Sequence, residues 1–588
     1  MSGLLSRMTG YDPFADDDGE GEAKASQADV TPGALASAGR ALGRAARAAG
    51  PYGAAVGATA ALSAYAHAPD WFTLMAAGGC AARIGDRAVE RWRHNSVGGR
   101  FYERRQRKFR GEAGFRDLRG TLSVSAAQRK MARIAPALHA SQAYITLGES
   151  IRRPARTVAV HRAVSIGVFA PPQTIKTVFI SRIILDAPGA VLATSSRADQ
   201  YRQTAAHRGR LGPVLVLDAE GYGPGTNFGW SPVRGCERAA VAMRRAGDFM
   251  QASPRDPSGK DSWHEDRGKR LMMLAFHAAA IAGRDMYQVR YWCQNPDDES
   301  FRKALLRPGA ARGWSDILDA TLGQEPEFLN SATTSAEAAL GWMDDPEMAA
   351  VACPGDGGVD VARFLREGTG TIYLIGSQRP YGSLTPFFTT FVTEYMEQAR
   401  HLAERSPDGR LPVPMTLALD EAATTARVDL PRWLAVTAGY NITTVVGLQA
   451  ISQLEASWGG PAQAEIILNN LNTKVIGGGV TSPADLERLS MVCGEHRVWR
   501  KEGGRRVHEM VRVFSPERIR MLPEWHALVV HRNAKSVEVR AAVMWEHPGY
   551  APAAFAPPEP QEEPPALPEP ENAPATPLHL VSDAADAI

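Results

Sequence analysis

Two short stretches of the sequence carry residue types that could bind and activate a phosphate group. The first is 170–177, read APPQTIKT, in which Lys176 and Thr177 follow a turn-forming loop. A lysine ammonium can contact phosphate oxygens and a hydroxyl can hold Mg²⁺, provided that backbone amides and a helix N-terminus face the same point. The second stretch contains Asp420 and Glu421, which could hold Mg²⁺ and activate a water molecule.

Each stretch follows residues that are typical of a buried strand. Residues 164–170 are apolar and rich in β-branched side chains, and an apolar helical pattern follows Thr177, so we expect a strand, a phosphate-binding loop and a helix. Residues 415–422, read MTLALDEA, place the two acids at the carboxyl end of another strand. Alone, each stretch could be an ordinary strand end. Together they predict that the two loops converge on one triphosphate.

Ile175 departs from the usual pattern, in which glycine precedes the lysine. Glycine lets the backbone approach a phosphate and adopts a positive φ at no steric cost, whereas a β-branched side chain disfavours that conformation. We therefore expect a loop with the length and shape of a phosphate-binding loop but with an impaired capacity for hydrolysis.

Three further polar residues follow predicted strands. Gln449 comes after 443–448 and could sense the γ-phosphate, whereas Gln453 is better explained as a helix cap or a surface residue. Arg379 comes after 370–376 and could reach the nucleotide of a neighbouring subunit in a ring. Many other arginines compete for that role.

Length and composition indicate a globular protein with several structural units. The 588 residues are 44% apolar and carry a net charge of +2, so bulk charge excludes no class of partner. Five scattered cysteines without CxxC spacing argue for a reducing compartment and against a zinc site or a disulfide framework. No cleavable signal peptide is expected, because residues 1–29 are polar and acidic.

The residues before the first strand indicate a membrane hairpin and a basic segment. Residues 52–66 and 71–82 carry no charge and are flanked by arginines, which would place both ends in the cytoplasm. A soluble pair of Ala/Gly-rich helices is the alternative. The run 100–110, read RFYERRQRKFR, suits anionic lipid headgroups, a nucleic-acid backbone or a solvated helix face.

From about residue 150, strand and helix patterns alternate. Predicted strands at 190–196 and 213–219 flank a polar helix at 197–208, which is typical of a parallel sheet with right-handed crossovers. Residues 236–348 show helical periodicity without strand signals. Strand patterns then resume at 370–376, 415–422, 443–448, 474–477, 527–531 and 537–543, with a helix at 386–402.

The motifs and their order resemble the coupling proteins of type IV secretion and conjugation, most closely the actinobacterial branch. The resemblance covers about residues 115–545. It is carried by APPQTIKT at 170–177, AVLATSSRAD at 190–199, WSPVRGC at 230–236, LALDEAA at 417–423 and LQAISQLEASWG at 448–459.

This resemblance implies an α/β fold. A RecA-like P-loop NTPase domain, mainly a parallel sheet with helices on both faces, would be interrupted by an all-α insertion and preceded by the helical hairpin. The expected divisions are a disordered acidic N-terminus at 1–33, the hairpin and basic segment at 34–112, the first part of the NTPase domain at 113–236, the insertion at 237–348, the second part at 349–546 and a disordered acidic, Pro-rich tail at 547–588.

The resemblance also implies a function. Members are ATPases that form rings, usually hexamers, at the cytoplasmic face of the inner membrane and pass relaxase-bound single-stranded DNA or protein substrates to a secretion channel. ATP and Mg²⁺ would be the cofactors, the helical block would meet substrate, and the tail could dock accessory proteins. By motif, Lys176 would contact the β- and γ-phosphates, Thr177 and Asp420 would hold Mg²⁺, Glu421 would activate water, Gln449 would sense the γ-phosphate, and Ala170, Pro171, Pro172, Gln173, Thr174 and Ile175 would complete the loop.

Two other hypotheses stay open. Ile175 would also suit a catalytically impaired relative that acts as a non-enzymatic recruitment scaffold at the membrane. A double-stranded DNA pump of the septal translocase type shares the core fold, but it predicts a C-terminal winged helix, for which we expect no room after Trp545.

Overall fold

The structure, a computed structural model, describes residues 111–219, 221, 223–253, 262–376, 383–502 and 505–550. The expected membrane hairpin, the basic run at 100–110, Arg379 and residues 551–588 of the acidic tail lie outside the described residues. None of the helices within the described ranges is both long and apolar enough to span a bilayer. The domain boundaries expected from the sequence stay predictions.

Thirteen strands are found in the described part of the chain. Their bounds are β1 Tyr144–Ser150, β2 Thr157–His161, β3 Ser165–Phe169, β4 Val191–Ser195, β5 Val214–Asp218, β6 Thr371–Ile375, β7 Met415–Leu419, β8 Ile442–Leu448, β9 Thr473–Gly477, β10 Glu495–Glu502, β11 Arg505–Arg512, β12 His526–His531 and β13 Val537–Ala541. Eleven of them form one sheet in the order β2-β1-β13-β12-β9-β3-β8-β7-β4-β6-β5, while β10 and β11 form a separate hairpin.

Helices lie between these strands. Before β1 come α1 Phe115–Thr121 and α2 Val124–Ile134, and α3 Ile175–Leu185 and α4 Asp199–Arg208 follow β3 and β4. Between β5 and β6 lie α5 Ala239–Ala252, α6 Ser262–Ala282, α7 Met286–Gln294, α8 Glu299–Leu305, α9 Trp314–Leu322, α10 Pro326–Leu340, α11 Pro346–Ala352 and α12 Val361–Glu367. The remainder are α13 Thr385–Glu404, α14 Ala422–Thr425, α15 Leu430–Val436, α16 Ile451–Ser457, α17 Pro461–Asn470, α18 Pro483–Val492 and α19 Pro516–Arg520.

The strands from β9 to β5 are parallel to their neighbours, and the four strands on the other side of β9 pair antiparallel. Every residue of β3, β4, β6, β7 and β8 is buried. Parallel strands need such continuous apolar runs because helices cover both faces of the sheet. The expected α/β fold, a mainly parallel sheet interrupted by a helical region, is confirmed.

Alternate residues of the strands pack into two apolar cores, one on each face of the sheet. Ile166 and Val168 of β3 pack with Phe179 and Ile183 of α3 in one core. Leu417 of β7 belongs to the other core, which continues into α13 and the helices between β5 and β6. Helical structure in this region extends beyond residue 348, to Glu367 of α12.

Helix α13 connects the end of β7 to the helical region. The hydroxyl of Thr385 donates to the carbonyl of Thr424 at 3.2 Å, and the hydroxyl of Thr389 accepts from the amide of Arg427 at 2.9 Å, so the start of α13 is bonded to the turn that contains α14. Two turns further on, Glu394 forms ion pairs with Arg244 and Arg245 of α5.

Glu394 is ionised in the folded protein. Burial alone would raise the pKa of Glu394, but the guanidinium groups of Arg245 and Arg244 outweigh it and lower the pKa to about 2. The contact between α13 and α5 therefore contains a charged, buried cluster rather than a solvated surface pair.

Candidate nucleotide-binding site

Four loops meet at the carboxyl edge of the parallel strands. They follow β3, β8, β7 and β4, which are consecutive neighbours in the sheet. The carboxyl ends of parallel strands lie at the same edge, which is where open α/β sheets bind ligands. This edge holds the side chains of Lys176, Asp420, Glu421, Gln449 and Ser196.

The loop after β3 leads directly into the N-terminus of α3. The amide of Ala170 donates to the carbonyl of Leu448 at the end of β8, at 3.1 Å, which fixes the start of the loop. The hydroxyl of Thr174, the residue before α3, donates to the carbonyl of Pro171 at 2.6 Å and closes the loop on itself. Gln173 has a φ of 59°. The left-handed residue of this loop is therefore Gln173.

Ile175 is the first residue of α3, and its side chain is 3% exposed. A Cβ atom at Gly477 of β9 would lie 2.9 Å from Cγ2 of Ile175 and 3.0 Å from Cβ of Ala170. Ile175 thus fills space that a glycine leaves open over β9. The expectation that residue 175 needs a positive φ is wrong, because Ile175 lies in the first turn of a right-handed helix, where a β-branched residue is allowed.

Lys176 lies between the two acids. Its Nζ atom is 3.5 Å from Oδ1 of Asp420 and 3.3 Å from Oε1 of Glu421, a residue 245 positions later in the chain. Lys176 and Asp420 are 4% and 3% exposed. Lys176 thus places a buried ammonium at the N-terminus of a helix, where two carboxylates pair with it.

Asp420 follows β7 directly. The predicted strand at 415–422 is too long, because β7 ends at Leu419 and Ala422 begins α14. Oδ2 of Asp420 accepts from the hydroxyl of Thr177 at 3.3 Å and from Nε2 of Gln200 at 3.2 Å. Burial raises the pKa of Asp420 above its ordinary value, against the opposing effect of Lys176.

The other oxygen of Asp420, Oδ1, is buried and accepts no hydrogen bond. Oδ1 lies 3.5 Å from Nζ of Lys176. Together with the hydroxyl of Thr177, this oxygen fits a Mg²⁺ ion, which prefers oxygen ligands and is usually held by one or two carboxylates plus substrate phosphates. The described residues contain no cluster of three or more His, Cys, Asp or Glu side chains that would hold a metal ion by themselves. The donor set is therefore one that would hold Mg²⁺ with a nucleotide rather than alone.

Glu421 has a left-handed backbone, with φ 53° and ψ 42°, which is unusual for a residue with a side chain and marks a constrained position. One carboxylate oxygen accepts from the hydroxyl of Ser196, and the other accepts from Nε2 of Gln449 at 3.3 Å. Burial would raise the pKa of Glu421, but the Ser196 hydroxyl and the Lys176 ammonium outweigh it and hold the pKa below its usual value. An ionised, oriented carboxylate of this kind can accept a proton from water.

The structure brings Lys176, Thr177, Asp420, Glu421 and Gln449 together. The side chain of Gln453 accepts from the amide of Gln449 at 3.2 Å, one residue before the N-cap of α16, and Ala450 at the N-cap itself has no side-chain cap. Three residues of the site escaped the sequence analysis: Ser196, Gln200 and Gly447.

Gly447 leaves room for an acid of the site, since a Cβ atom at this position would lie 2.4 Å from Oδ1 of Asp420. The position of Ser196 directly after β4 was the signal that could have found it. Gln200, the second residue of α4, carried no such signal.

Comparisons with known proteins identify one matching family and several solved structures of similar fold. Residues 414–524 match the protein family described as the TraM recognition site of TraD and TraG, named TraG-D_C. This segment includes β7, both acids and Gln449. No curated protein matches the sequence.

Solved structures of the plasmid coupling protein TrwB are similar in fold. The unbound form of bacterial conjugative coupling protein TrwBΔN70 superimposes with a TM-score of 0.54 at 19% identity, covering 72% of this chain and 94% of TrwBΔN70. TrwB with the non-hydrolysable ATP analogue ADPNP gives 0.51 at 17% identity, over 72% and 95% of the two chains. TrwB with ADP and Mg²⁺ gives 0.50 at 18% identity, over 65% and 85%.

The described residues thus form a mainly parallel α/β fold with a helical region, which is similar to the fold of a conjugative coupling protein. More narrowly, the fold is similar to that of the coupling protein TrwB, and residues 414–524 match the TraG-D_C family. The expected resemblance to coupling proteins is confirmed at this level. Its narrower form, an origin in the actinobacterial branch, stays a prediction.

Proposed function

We propose that the protein is a membrane-anchored ATPase of the coupling-protein type, which recruits DNA or protein substrates and moves them into a type IV secretion or conjugation channel. One observation carries this proposal. Lys176 and Thr177 of one loop meet Asp420 and Glu421 of a loop more than 240 residues later, with all the contacts between them at 3.3 to 3.5 Å. Such convergence is what a Mg-nucleotide site requires.

Each residue of the site has a defined task in this proposal. Lys176 and the amides at the start of α3 would bind phosphate oxygens, and Thr177 and Asp420 would hold Mg²⁺. When bound, Mg²⁺ would neutralise negative charge on the phosphates. Glu421 would hold and deprotonate the attacking water. Its carboxylate is oriented by Ser196, and by Gln449, which would also sense the γ-phosphate.

The scaffold hypothesis depends on Ile175. That hypothesis assumes that residue 175 has a positive φ, which would strain a β-branched side chain. Ile175 is helical, so this reason for expecting an inactive site no longer holds. The side chain of Ile175 points inward, so Gln173 and Thr174, not Ile175, lie on the open side of the loop. The geometry therefore favours an active enzyme over an impaired relative.

The wider assembly belongs to the same proposal. TrwB was solved with ADP and Mg²⁺ and with ADPNP, which supports ATP and Mg²⁺ as cofactors here. The match of residues 414–524 to a TraM recognition site supports a contact with an accessory protein. We further propose a homo-oligomeric ring, usually a hexamer in such proteins, attached to the inner membrane with its bulk in the cytoplasm, which transfers relaxase-bound single-stranded DNA to channel proteins.

The test is ATP turnover by the purified full-length chain in neutral detergent, with and without single-stranded DNA. We expect Mg²⁺-dependent turnover in the parent protein and in Lys303→Ala, an exposed control on α8. Turnover should fall by about 100-fold or more in Lys176→Ala and in Glu421→Gln. Glu421→Gln should still bind nucleotide.

Two results would contradict the proposal. Turnover that appears only after Ile175→Gly would support the recruitment scaffold. Failure of the parent protein to bind ATP with Mg²⁺ would remove the enzyme interpretation altogether.

A further inference from the structure

A basic cavity of about 520 Å³ lies between α2 and the loop that precedes β7. Arg129, Lys130 and Arg133 of α2 line one side, and Arg410 of the loop lines the other. Ala126 and Ile134 supply an apolar part of the lining. None of the residues that line this cavity has a role in the proposed nucleotide site.

The cavity lies at the amino edge of the sheet, opposite the nucleotide site. Met131 of α2 packs in one apolar cluster with Ala163, two residues before β3, and Arg410 lies five residues before β7. The described chain also begins at this edge, since the amide of Ala113 donates to the carbonyl of Ser536 in the turn after β12, at 3.0 Å.

The charge of the cavity is uncompensated. Within the described ranges, no carboxylate forms an ion pair with any of its four cations, which are Arg129, Lys130, Arg133 and Arg410. Partial burial and the neighbouring Arg532 lower the pKa of Lys130. Arg129, Lys130 and Arg133 are exposed and Arg410 is half-buried, so the cavity presents its positive charge to solvent, where it would attract an anion.

Two buried histidines, His161 and His531, interact electrostatically with Lys130 and Arg532. His161 and His531 are each 6% exposed. Burial, Lys130, His531 and Arg532 lower the pKa of His161 to about 3. Burial, Arg532, Lys130 and Lys474 lower the pKa of His531 to about 4. Both rings are therefore neutral at physiological pH, and neither ring nitrogen of His161 has a hydrogen-bond partner.

We propose that this cavity binds the phosphodiester headgroup of an anionic phospholipid. Arginine and lysine side chains suit phosphate oxygens, and basic pockets on the cytoplasmic side of membrane proteins bind such headgroups. Ala126 and Ile134 suit the glycerol and the first carbons of the acyl chains. The residues that line the cavity include no aromatic side chain, so the bases of a nucleic acid would find no surface to stack on. This inference is independent of ATP hydrolysis, so the two proposals can fail separately.

The test compares lipid binding by two variants of equal charge. The first combines Arg129→Ala, Lys130→Ala, Arg133→Ala and Arg410→Ala. The control combines Lys303→Ala, Arg307→Ala, Arg312→Ala and Arg366→Ala, which are exposed residues of the helical region. Each full-length protein, in neutral detergent, is titrated against phosphatidylglycerol with a fluorescent acyl chain, and the dissociation constant is measured by anisotropy. Phosphatidylcholine with the same fluorophore is the zwitterionic probe.

We expect the cavity variant to bind phosphatidylglycerol at least about tenfold more weakly than the parent and the control, with no change for phosphatidylcholine. Equal binding by the cavity variant and the control would overturn the proposal. So would displacement of the lipid by millimolar inorganic phosphate, which would assign the site to free phosphate.

A third result would also overturn it: if the cavity variant loses binding of a single-stranded oligonucleotide but not of phosphatidylglycerol, the site belongs to nucleic acid. Thermal melting shows whether each variant is folded. If the fourfold variant melts early, the single substitution Arg133→Glu, at an exposed position, serves in its place with the same expected loss.

Discussion

Ile175 and Gly477 are complementary in shape: the branched side chain before Lys176 fills the volume that the missing Cβ of Gly477 leaves on β9. The two residues lie on adjacent elements that are far apart in the sequence. A position that breaks the usual motif is thus accommodated by a glycine in the neighbouring strand. This explains how the loop keeps its helical entry without the glycine that normally precedes the lysine.

The first prediction concerns this pair. Ile175→Gly removes a buried side chain and should lower the free energy of unfolding by about 2–5 kcal/mol without raising ATP turnover. Ile466→Gly, at a 44% exposed site on α17, is the matched control and should cost about 1 kcal/mol. Thermal unfolding and steady-state turnover measure the two effects. A gain in turnover with unchanged stability would contradict this account of Ile175.

The second prediction concerns the space beside Asp420. Gly447→Ala places a Cβ atom 2.4 Å from Oδ1 of Asp420, so the carboxylate must move away from Lys176 and from the expected Mg²⁺ position. We expect a loss of Mg²⁺-dependent turnover of about tenfold or more. Gly439→Ala is the control, because a Cβ atom there meets nothing within 4 Å. Equal activities of the two variants would show that Asp420 need not be fixed.

The third prediction concerns the protonation of Glu421. Ser196 donates to this carboxylate and helps to hold its pKa below the usual value. Ser196→Ala should therefore raise the pKa of Glu421 and move the acid limb of the pH profile of turnover to higher pH. Ser406→Ala, at a remote helix end, should leave the profile unchanged. A uniform loss of activity at all pH values would indicate a purely structural role for Ser196.

The fourth prediction concerns stability in acid. The pKa of His161 is about 3 in the folded protein against an ordinary 6.5, so between these values the unfolded chain binds a proton that the folded chain does not. Its contribution to stability is therefore complete above pH 6.5 and is lost as the pH falls. At pH 5 the loss is about 2 kcal/mol.

His161→Gln should remove this term, so the free energy of unfolding should fall less between pH 7 and pH 5 than in the parent protein. Chemical denaturation at the two pH values measures the difference. His401→Gln, at an exposed position on α13, is the control and should keep the slope of the parent. Identical slopes in all three proteins would show that His161 is protonated when folded.

The central strands could be predicted from the sequence because each is a continuous apolar run. All five residues of β3 and of β7 are buried, so their patterns stand out against the loops. The antiparallel edge of the sheet was harder to predict from the sequence. The sequence patterns did not predict β1 and β2, or the helices α1 and α2 before them. β2 begins with an exposed Thr157, and β1 carries an exposed Glu149 and a bulge near Gly148, so neither gives a clean apolar run.

The candidate site was predictable in part for a similar reason. Lys176, Thr177, Asp420 and Glu421 belong to local motifs, and a local motif can be recognised without the fold. Ser196 reaches Glu421 only because β4 and β7 are neighbours in the sheet. No local sequence pattern predicts the order of strands in a sheet. The partnership of Ile175 with Gly477 likewise depends on a contact between elements some 300 residues apart.

Helix α13 connects the candidate site directly to the helical region. Its 20 residues form a rod about 30 Å long, bonded at its start to the turn that follows Glu421 and held by Glu394 to α5. No loop interrupts α13 between these two contacts. The turn after Glu421 and the helices between β5 and β6 are therefore joined by one continuous helix rather than by a chain of loops.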